Sequence, residues 1–363
     1  MNALNRIAQR FDIAGEVRDI QPLGEGLIND TYKVNMADGS AYVLQRINNA
    51  IFRDVDLLQR NIEAVTAHIR GKLEQNGTAD IGRKVLQFIK VKGSDKTYLL
   101  DDGRYWRLSA FISDSYTYDT VSPEYARFAG EAFGNFESML SDIPAEIGES
   151  IPDFHNMELR LHQLEDAVEA DKAGRMKDEE VRSILAEIRK HAYDMCEAER
   201  LYAAGLLPKR ICHCDTKVNN ILFDKDKNVL CVIDLDTVMP GFVFSDFGDF
   251  LRTAGSSLPE DDPDAAGVKF RMDIFESFAE GYLKSTASFL TPVEREHLPY
   301  GALRFAYMQA VRFFADYLNG DTYYKINYPE HNLVRTRNQM ALFRSMTEHL
   351  GQMSRTLKKI AGI

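Results

Sequence analysis

The hydrophobic pattern changes character about one third of the way along the chain, and this change limits the fold more than any other feature. Up to residue 111, apolar residues come in short runs separated by tight turns. One of these turns, Asp38-Gly39, has the sequence that is typical of a β-hairpin. From residue 123 onwards, apolar residues recur mostly at helical spacing. The predicted fold class is therefore α+β, with an antiparallel β-sheet and one packed helix first and a larger, mainly helical part second.

The two patterns predict two lobes, residues 1–111 and 112–363, with a hinge at 108–116. The first lobe should hold a short helix within 1–20, a helix at 54–69 that Asp54 or Asp56 caps, and strands at 23–34 around a Gly-rich turn, 41–47, 85–91, 97–100 and 105–111. The second should hold helices at 123–139, 157–169, 178–204, 270–283, 294–318 and 332–360, with a β-rich insert at 210–234.

Composition and charge exclude several classes of protein. The chain is 45% apolar and 27% charged, which is ordinary for a globular protein. The formal net charge of −11, without a cluster of Lys and Arg, disfavours a nucleic-acid partner. There is no apolar run of about 18 residues, and residues 1–13 lack the apolar core of a signal peptide. We therefore expect a cytoplasmic protein with no membrane partner and no obligate protein partner.

Two of the four cysteines, Cys212 and Cys214, flank His213 and so invite interpretation as a metal site. Neighbours on an extended chain point to opposite faces, and no further ligand lies at metal-site spacing. We expect the two thiols to be small apolar side chains in a strand.

The segment that carries chemistry begins at His213. It has the pattern H-x-D-x-x-x-x-N, in which Asp215 and Asn220 are the third and eighth residues. An apolar strand follows, then a turn at 224–228, then a second apolar strand that ends at Asp234. This spacing predicts a hairpin that brings Asp215, Asn220 and Asp234 to the same end.

These three side chains match the needs of phosphoryl transfer. One carboxylate must accept the proton of the attacking hydroxyl, while an amide and another carboxylate hold magnesium against the phosphate oxygens. We predict Asp215 as the base and Asn220 with Asp234 as the Mg²⁺ ligands, with His213 supporting the loop through hydrogen bonds. The alternative is that the two acids are turn residues and Asn220 is a cap.

The later run 246–249 reads Asp-Phe-Gly-Asp, the motif that holds the magnesium-binding acid in protein kinases. Here the acid that ends a strand at the right distance from Asp215 is Asp234. We interpret Asp246 and Asp249 as acids that contact substrate or order a loop, and Asp236 stays open as a second metal ligand.

At these residues the sequence resembles the aminoglycoside phosphotransferase and choline kinase superfamily, which has a bilobal protein-kinase-like fold. The resemblance covers nearly the whole chain, and it is closest to the bacterial N-acetylhexosamine 1-kinases. The stretches that carry it are 24–29 (GEGLIN), 42–48 (YVLQRIN), 215–220 (DTKVNN), 233–241 (IDLDTVMPG) and 328–337 (YPEHNLVRTR).

The resemblance implies a kinase that uses ATP and Mg²⁺, with Asp215 as base and Asn220 and Asp234 as metal ligands. The turn with Gly24, Gly26 and Asn29 would cover the ATP phosphates. The lysine expected on the third strand is absent, and Arg46, with Glu63 as its partner, is predicted to contact phosphate, although strand register decides whether Gln45 or Arg46 faces inward. Backbone groups of residues 109–112, among them Ala110 and Ile112, would receive the adenine.

The resemblance further implies a sugar substrate, phosphorylated at the anomeric hydroxyl of N-acetylglucosamine or N-acetylgalactosamine. Asp215, Arg312 and Tyr323 would contact this small molecule. The alternative is that Arg312 forms a surface ion pair and Tyr323 only packs.

Three other functions compete with this one. A kinase of another small alcohol, such as an aminoglycoside, choline, ethanolamine or homoserine, would keep the same base and metal ligands. A nucleotide-binding protein without catalysis would be expected to lack Asp215 or Asp234, and both are present. A metal-dependent hydrolase would need clustered histidines, whereas the eight histidines here are scattered.

Overall fold

The protein is described by a computed structural model that covers residues 3–24, 28–118 and 120–362. The chain divides into two units. The first comprises Met1–Thr117, Met139–Pro152 and Asn220–Met239. The second comprises Tyr118–Ser138, Asp153–Asn219 and Pro240–Ile363. The first unit thus contains the predicted first lobe together with two segments from later in the chain.

A five-stranded antiparallel sheet lies in the first unit, which confirms the predicted fold class. Its strands are β1 Val17–Pro22, β2 Asp30–Met36, β3 Ala41–Ile47, β4 Tyr98–Asp101 and β5 Arg104–Ala110, in the order β1-β2-β3-β5-β4. The predicted hairpin joins β2 to β3, and Gly39 adopts the positive φ of +90° that its turn requires.

The register of β3 determines which side chains share a face of the sheet. Gln45 lies opposite Thr31 and Arg107 in the neighbouring strands, whereas Arg46 lies opposite Asp30 and Trp106. Successive residues of a strand point to opposite faces. Gln45 and Arg46 therefore project from different sides of the sheet. Helix α1, Ala3–Ala8, packs with the face that carries the apolar residues Val34, Met36, Leu44, Trp106 and Leu108.

The predicted helix after β3 is α2, Val55–Gln75, and it runs one and a half turns beyond its predicted end. Asp54 caps it by accepting a hydrogen bond from the Leu57 N–H at 2.8 Å. The strand predicted at 85–91 is wrong, since this segment makes only isolated bridges, at Phe88 and Val91. Strand β4 already pairs with residues 104–107 of β5 on this edge, so the segment can pair only with residues 108–110, through two backbone hydrogen bonds of 2.8 and 2.9 Å.

Nine helices and two short strands are described beyond β5, apart from a hairpin of the first unit that is treated with the site below. The helices are α3 Pro123–Leu140, α4 Met157–Ala170, α5 Glu179–Met195, α6 Glu197–Ala203, α7 Val243–Ala254, α8 Met272–Thr286, α9 Pro292–Glu296, α10 Leu298–Leu318 and α11 His331–Ala361. The strands are β6 Arg210–Cys212 and β9 Met239–Gly241. Within the described ranges, none of the helices is both long and apolar enough to cross a membrane.

Three helical predictions need correction. The helix expected at 178–204 is divided at Cys196, and the one expected at 294–318 is divided at His297. Pro299 accounts for the second break, because proline fits the first turn of a helix and disrupts its interior. Helix α7 was not predicted, because its Asp-Phe-Gly-Asp run was interpreted only for the roles of its two acids.

Helices α3 and α8 approach each other closely at two glycines. A Cβ atom on Gly130 would overlap the carbonyl oxygen of Phe278, and one on Gly281 would overlap the carbonyl oxygen of Arg127. The two backbones therefore meet with no side chain between them. This close contact brings Glu137 of α3 within hydrogen-bonding distance of Tyr282 of α8.

We expect Gly130→Ala to destabilise the protein by about 1–3 kcal/mol, because the new methyl group can be accommodated only if a helix backbone moves. The free energy of unfolding in urea measures this. Gly71→Ala is the matched control, since Gly71 lies in the interior of α2 with no atom near its Cβ position, and it should gain about 0.5–1 kcal/mol. Equal effects of the two substitutions would contradict the close approach.

Candidate active site

A hairpin in the first unit carries both predicted metal ligands. It consists of β7, Ile221–Phe223, and β8, Val229–Val232, and the Ile233 N–H donates to the Asn220 carbonyl oxygen at 2.9 Å. Asn220 and Asp234 thus flank its open end, as the spacing predicts. Asp234 has a left-handed backbone with φ +59°, which turns the chain away from the strand. Amide and carboxylate oxygens are the hard donors that magnesium prefers, so this residue pair fits that ion.

The neighbouring acid, Asp236, is used differently. It is buried, lies 2.5 Å from the guanidinium of Arg107 and accepts a hydrogen bond from the Asn29 amide at 2.6 Å. Arg107 also donates to Gln45 at 2.9 Å. Of the two candidates on β3, Gln45 and Arg46, it is therefore Gln45 that contacts the Arg107 side chain. Arg107 belongs to strand β5 and compensates the charge of Asp236, which follows the hairpin. This ion pair thus joins the segment after the hairpin to the sheet.

Arg107 is a residue that the sequence analysis missed. The available signal was a charged side chain between Trp106 and Leu108, inside an otherwise apolar strand. A charge in that position is stable only with a buried partner, and the strand alone does not reveal which acid this is.

The predicted phosphate-covering turn is described in part. Gly24 has φ +69°, a left-handed conformation that favours glycine, whereas Gly26 lies outside the described residues. The Asn29 amide donates to Asp236, and its oxygen accepts the Asn48 N–H at 2.9 Å. The Asn29 side chain thus holds the end of the turn, and its contact with ATP stays a prediction.

The predicted ion pair between Arg46 and Glu63 needs correction. Arg46 pairs with Asp30 across the β2–β3 ladder, and Glu63 accepts a hydrogen bond from the Thr97 hydroxyl. The reason is the register of β3, which directs Arg46 to the opposite face from Gln45. Their roles in ATP binding remain predictions.

The predicted adenine segment ends β5. The Ala110 N–H donates to the Gln87 carbonyl at 2.9 Å and the Phe111 N–H to the Ala41 carbonyl at 3.0 Å, so neither N–H group is available to a base. Ile112 is buried against β8, in a cluster of apolar residues that also contains Leu86, Leu222, Leu230, Cys231 and Ile233. This cluster adjoins the hairpin end that carries the two predicted metal ligands.

In the second unit, one buried carboxylate fastens the loop that contains Asp215. Asp246, in the first turn of α7, accepts the N–H groups of His213 and Cys214, each at 2.7 Å. Its own carbonyl oxygen accepts the hydroxyl of Thr216 at 2.7 Å. Cys214 has φ +63°, which is costly for a residue with a side chain and is maintained by these contacts. Asp246 is therefore a loop-ordering acid.

Opposite charges alternate around Asp215. The ammonium group of Lys217 lies 2.6 Å from the Asp215 carboxylate. Burial opposes the charge of Lys217, but the carboxylates of Asp215 and Asp249 outweigh it and raise the pKa of Lys217. Asp249 in turn contacts Arg252 at 3.1 Å. Lys217 was not predicted, although it stands two residues after the predicted base.

The two residues implied by resemblance to contact sugar meet through Tyr324. The Arg312 guanidinium lies 5.3 Å from the Phe154 ring centre and 5.7 Å from that of Tyr324. The rings of Tyr323 and Tyr324 are edge to face at 4.8 Å, and Tyr323 is 63% exposed. In the described residues Arg312 forms no ion pair, so it is not the surface ion pair considered as the alternative.

Comparison with known proteins agrees with this description. A sequence model described as the Phosphotransferase enzyme family matches residues 19–287. An aminoglycoside phosphotransferase from Alicyclobacillus acidocaldarius has a similar structure, with TM-score 0.59, 13% identity, and coverage of 97% of this chain and 95% of that one. The amicoumacin kinase hAmiN, solved with AMP-PNP, Ca²⁺ and amicoumacin, has TM-score 0.59 and 11% identity, and the match covers 99% of this chain and 92% of that one. Choline kinase from Cryptosporidium parvum has TM-score 0.58 and 12% identity, and the match covers 99% of each chain. At these identities the likeness establishes the fold.

The fold is thus that of the bilobal kinases, and the family match makes the protein a phosphotransferase. The chain belongs to the Phosphotransferase enzyme family.

We expect Arg107→Met to lower the free energy of unfolding by about 3–5 kcal/mol, because it leaves the Asp236 carboxylate buried without its cation. The double variant Arg107→Met/Asp236→Leu should recover part of this loss, which urea denaturation measures. Arg104→Met, on the exposed part of the same strand, is the control and should change stability by about 0.5 kcal/mol or less. A double variant as unstable as Arg107→Met would contradict this account.

Proposed function

We propose that this protein is an ATP- and Mg²⁺-dependent kinase that phosphorylates the anomeric hydroxyl of an N-acetylhexosamine. The observation that carries the proposal is Asp215, a carboxylate paired with Lys217 on a loop that Asp246 fastens. Asn220 and Asp234, at the open end of the β7–β8 hairpin, supply the oxygen donors for the metal.

In this proposal Asp215 accepts the proton of the attacking hydroxyl as its oxygen bonds to the γ-phosphorus of ATP. The bond between that phosphorus and the β–γ bridging oxygen breaks, and ADP leaves with the electron pair. Lys217 orients the base and adds positive charge where the phosphoryl group carries negative charge. Asn220 and Asp234 would hold Mg²⁺, which neutralises charge on the phosphate oxygens when bound.

The use of ATP is supported by the apolar cluster around Ile112. Leu86, Leu222 and Ile233 are only partly buried there, and they offer an apolar surface next to the predicted metal ligands. A base stacked on this surface would direct its phosphates towards Asn220 and Asp234. The amicoumacin kinase, which shares the fold, was solved with AMP-PNP and Ca²⁺.

An uncharged sugar is favoured by the charges around Arg312. Burial holds the pKa of His155 well below its usual range, and the charges of four arginines add to this effect. Of the four, Arg312 contributes most. Arg160 is also affected, since burial and the charge of Arg312 lower its pKa to about 10. A cationic acceptor such as choline or an aminoglycoside would be repelled here, whereas sugar hydroxyl and acetamide oxygens can accept hydrogen bonds from guanidinium groups.

The loop that presents Tyr323 is held by one carboxylate. Asp316 accepts the N–H groups of Thr322, Tyr323 and Tyr324 at 2.8–3.0 Å, and the amide of Asn332 at 2.9 Å. This arrangement fixes the backbone while the Tyr323 ring stays exposed. A fixed, exposed aromatic ring is a suitable surface for the apolar face of a sugar.

A kinase of another small alcohol is the second candidate, since proteins named aminoglycoside phosphotransferase and choline kinase share the fold. An ATP-consumption assay with Mg²⁺ separates the two. The acceptors are N-acetylglucosamine, N-acetylgalactosamine, galactose, glucose, choline, homoserine and kanamycin.

We expect turnover on an N-acetylhexosamine and a loss of about 10²–10⁴-fold in kcat in Asp215→Asn, since the amide cannot accept the proton. Phosphorus NMR of the product should show a phosphate on C1. An unchanged unfolding temperature in Asp215→Asn would show that the loss is chemical. Turnover only on choline, homoserine or kanamycin would overturn the sugar assignment and keep the catalytic residues.

We expect Tyr323→Ala to raise the KM for the sugar about tenfold, as the loss of about 1.4 kcal/mol of stacking implies, and to leave the KM for ATP unchanged. Steady-state kinetics with each substrate varied in turn measure both constants. Tyr193→Ala is the matched control, because that tyrosine is 72% exposed on α5. A change in both KM values, or the same change in the control, would argue against a sugar contact.

A further inference from the structure

A buried carboxyl group stands next to the acid that fastens the catalytic loop. Glu137, near the end of α3, is 2% exposed, and Asp246 is fully buried. Oxygens of these two residues and the sulfur of Cys212 lie within 4.8 Å of one another. The hydroxyl of Tyr282 donates to Glu137 Oε2 at 2.5 Å. Oε1 accepts no hydrogen bond from any described residue.

Two carboxylates at this distance in an apolar interior cannot both stay ionised. Only a proton or a cation between them resolves the repulsion. The nearby Arg210 is engaged by Glu294 through two hydrogen bonds of 2.9 Å each. A proton on one of the two acids would resolve the repulsion, and on Glu137 it would also give the orphaned oxygen a hydrogen bond.

The hydrogen bonds identify which acid is neutral. Both oxygens of Asp246 accept backbone N–H groups, which stabilises the ionised form. Glu137 accepts only the hydroxyl of Tyr282. In keeping with this, burial and the neighbouring Asp246 charge raise the pKa of Glu137 well above its ordinary value. Burial also raises the pKa of Asp246, but the charge of His213 and the N–H groups of His213 and Cys214 oppose that effect.

We propose that Glu137 is a positioning residue for catalysis. As a neutral acid it donates its proton to Asp246, which keeps Asp246 the carboxylate that binds the N–H groups of His213 and Cys214. The backbone immediately before Asp215 then stays in its left-handed turn. The link to catalysis rests on the proposed role of Asp215, whereas the link to loop structure does not.

A metal ion bound by Glu137, Cys212 and Asp246 is the alternative arrangement. Two observations favour the proton. Both Asp246 oxygens already accept N–H groups at 2.7 Å, which a metal bond would weaken. Burial and the charge of Asp246 raise the pKa of the Cys212 thiol well above its ordinary value, so it stays protonated.

The shared proton makes stability depend on pH. The titratable or charged groups around the pair are His213, Cys212 and Cys214 on the β6 segment, Asp249 on α7, Tyr282 on α8, and the Arg210–Glu294 ion pair. Because the pKa of Glu137 is raised on folding, its stabilising contribution is complete below the unfolded pKa and is lost as pH rises towards the folded pKa. An amide at position 137 does not titrate and lacks this loss.

Two variants test the proposal: Glu137→Gln, which keeps a donor towards Asp246, and Glu137→Leu, which removes it. Hydrogen exchange of a peptide spanning 210–218, compared with a buried peptide of α10, reports the loop N–H groups separately from global unfolding. Unfolding temperatures of the three proteins are compared at about pH 5 and about pH 8. Turnover is measured over the same pH range with the acceptor that the panel identifies.

We expect Glu137→Leu to exchange the loop amides at least about tenfold faster relative to α10, the factor for one lost hydrogen bond to a charged group. Glu137→Gln should retain their protection, and its unfolding temperature relative to the unsubstituted protein should rise from pH 5 to pH 8. Turnover should fall in Glu137→Leu and be rescued in Glu137→Gln, without the alkaline decline of the unsubstituted protein.

Three results would overturn the proposal: loss of loop protection in Glu137→Gln as severe as in Glu137→Leu, unchanged protection in Glu137→Leu, or one equivalent of bound metal in the native protein that Glu137→Gln abolishes. If Asp215→Asn retained turnover, the proposed chemistry would fail, and the exchange and stability measurements would still decide the role of Glu137.

Discussion

Buried aspartates that accept or pair with donors from elsewhere in the chain are the constraint on which the predicted catalytic segment of each unit depends. In the second unit Asp246 holds the turn at Cys214, and in the first unit Asp236 holds the segment that follows Asp234. Both Cys214 and Asp234 have left-handed backbones, which most side chains disfavour. The contacts of the two buried carboxylates offset this cost. A carboxylate removed from water needs donors in fixed positions, and this requirement keeps the backbone in its turn.

The two buried acids are stabilised by different means. The guanidinium of Arg107 neutralises Asp236, so the two buried charges of the first unit compensate each other. Asp246 has backbone N–H groups and a carboxyl neighbour instead, so its charge depends on where one proton resides. In the proposed arrangement the charge of the carboxyl pair therefore depends on pH.

Local pattern predicted much of the fold. The two-residue period and the turn at Asp38-Gly39 identified β3 with its observed bounds, and helical spacing identified α11 to within one residue at each end. Helix α7 was accessible by the same means, since Val243, Phe247, Phe250 and Leu251 have helical spacing. It was missed because a familiar motif was given more weight than periodicity.

The sequence alone did not predict which side chains contact each other in the folded protein. Whether Gln45 or Arg46 faces inward follows from strand register, which no single strand encodes. The partner of Arg107 lies more than a hundred residues away, and several acids could have served. Motif spacing predicted Asp215, Asn220 and Asp234 as a group. The β7–β8 hairpin does bring Asn220 and Asp234 to one end, because a short hairpin fixes the ends of its two strands relative to each other, and the place of Asp215 beside them stays a prediction.

The loop held by Asp316 has a consequence for how the chain can change at position 323. The carboxylate accepts backbone N–H groups, which every residue except proline possesses, so its hold on the loop does not depend on the exposed side chain of Tyr323. This position can be exchanged while the loop keeps its shape. The chain thereby separates the group that maintains the loop from the side chain that is proposed to contact the acceptor, so a change of that side chain costs little folding stability.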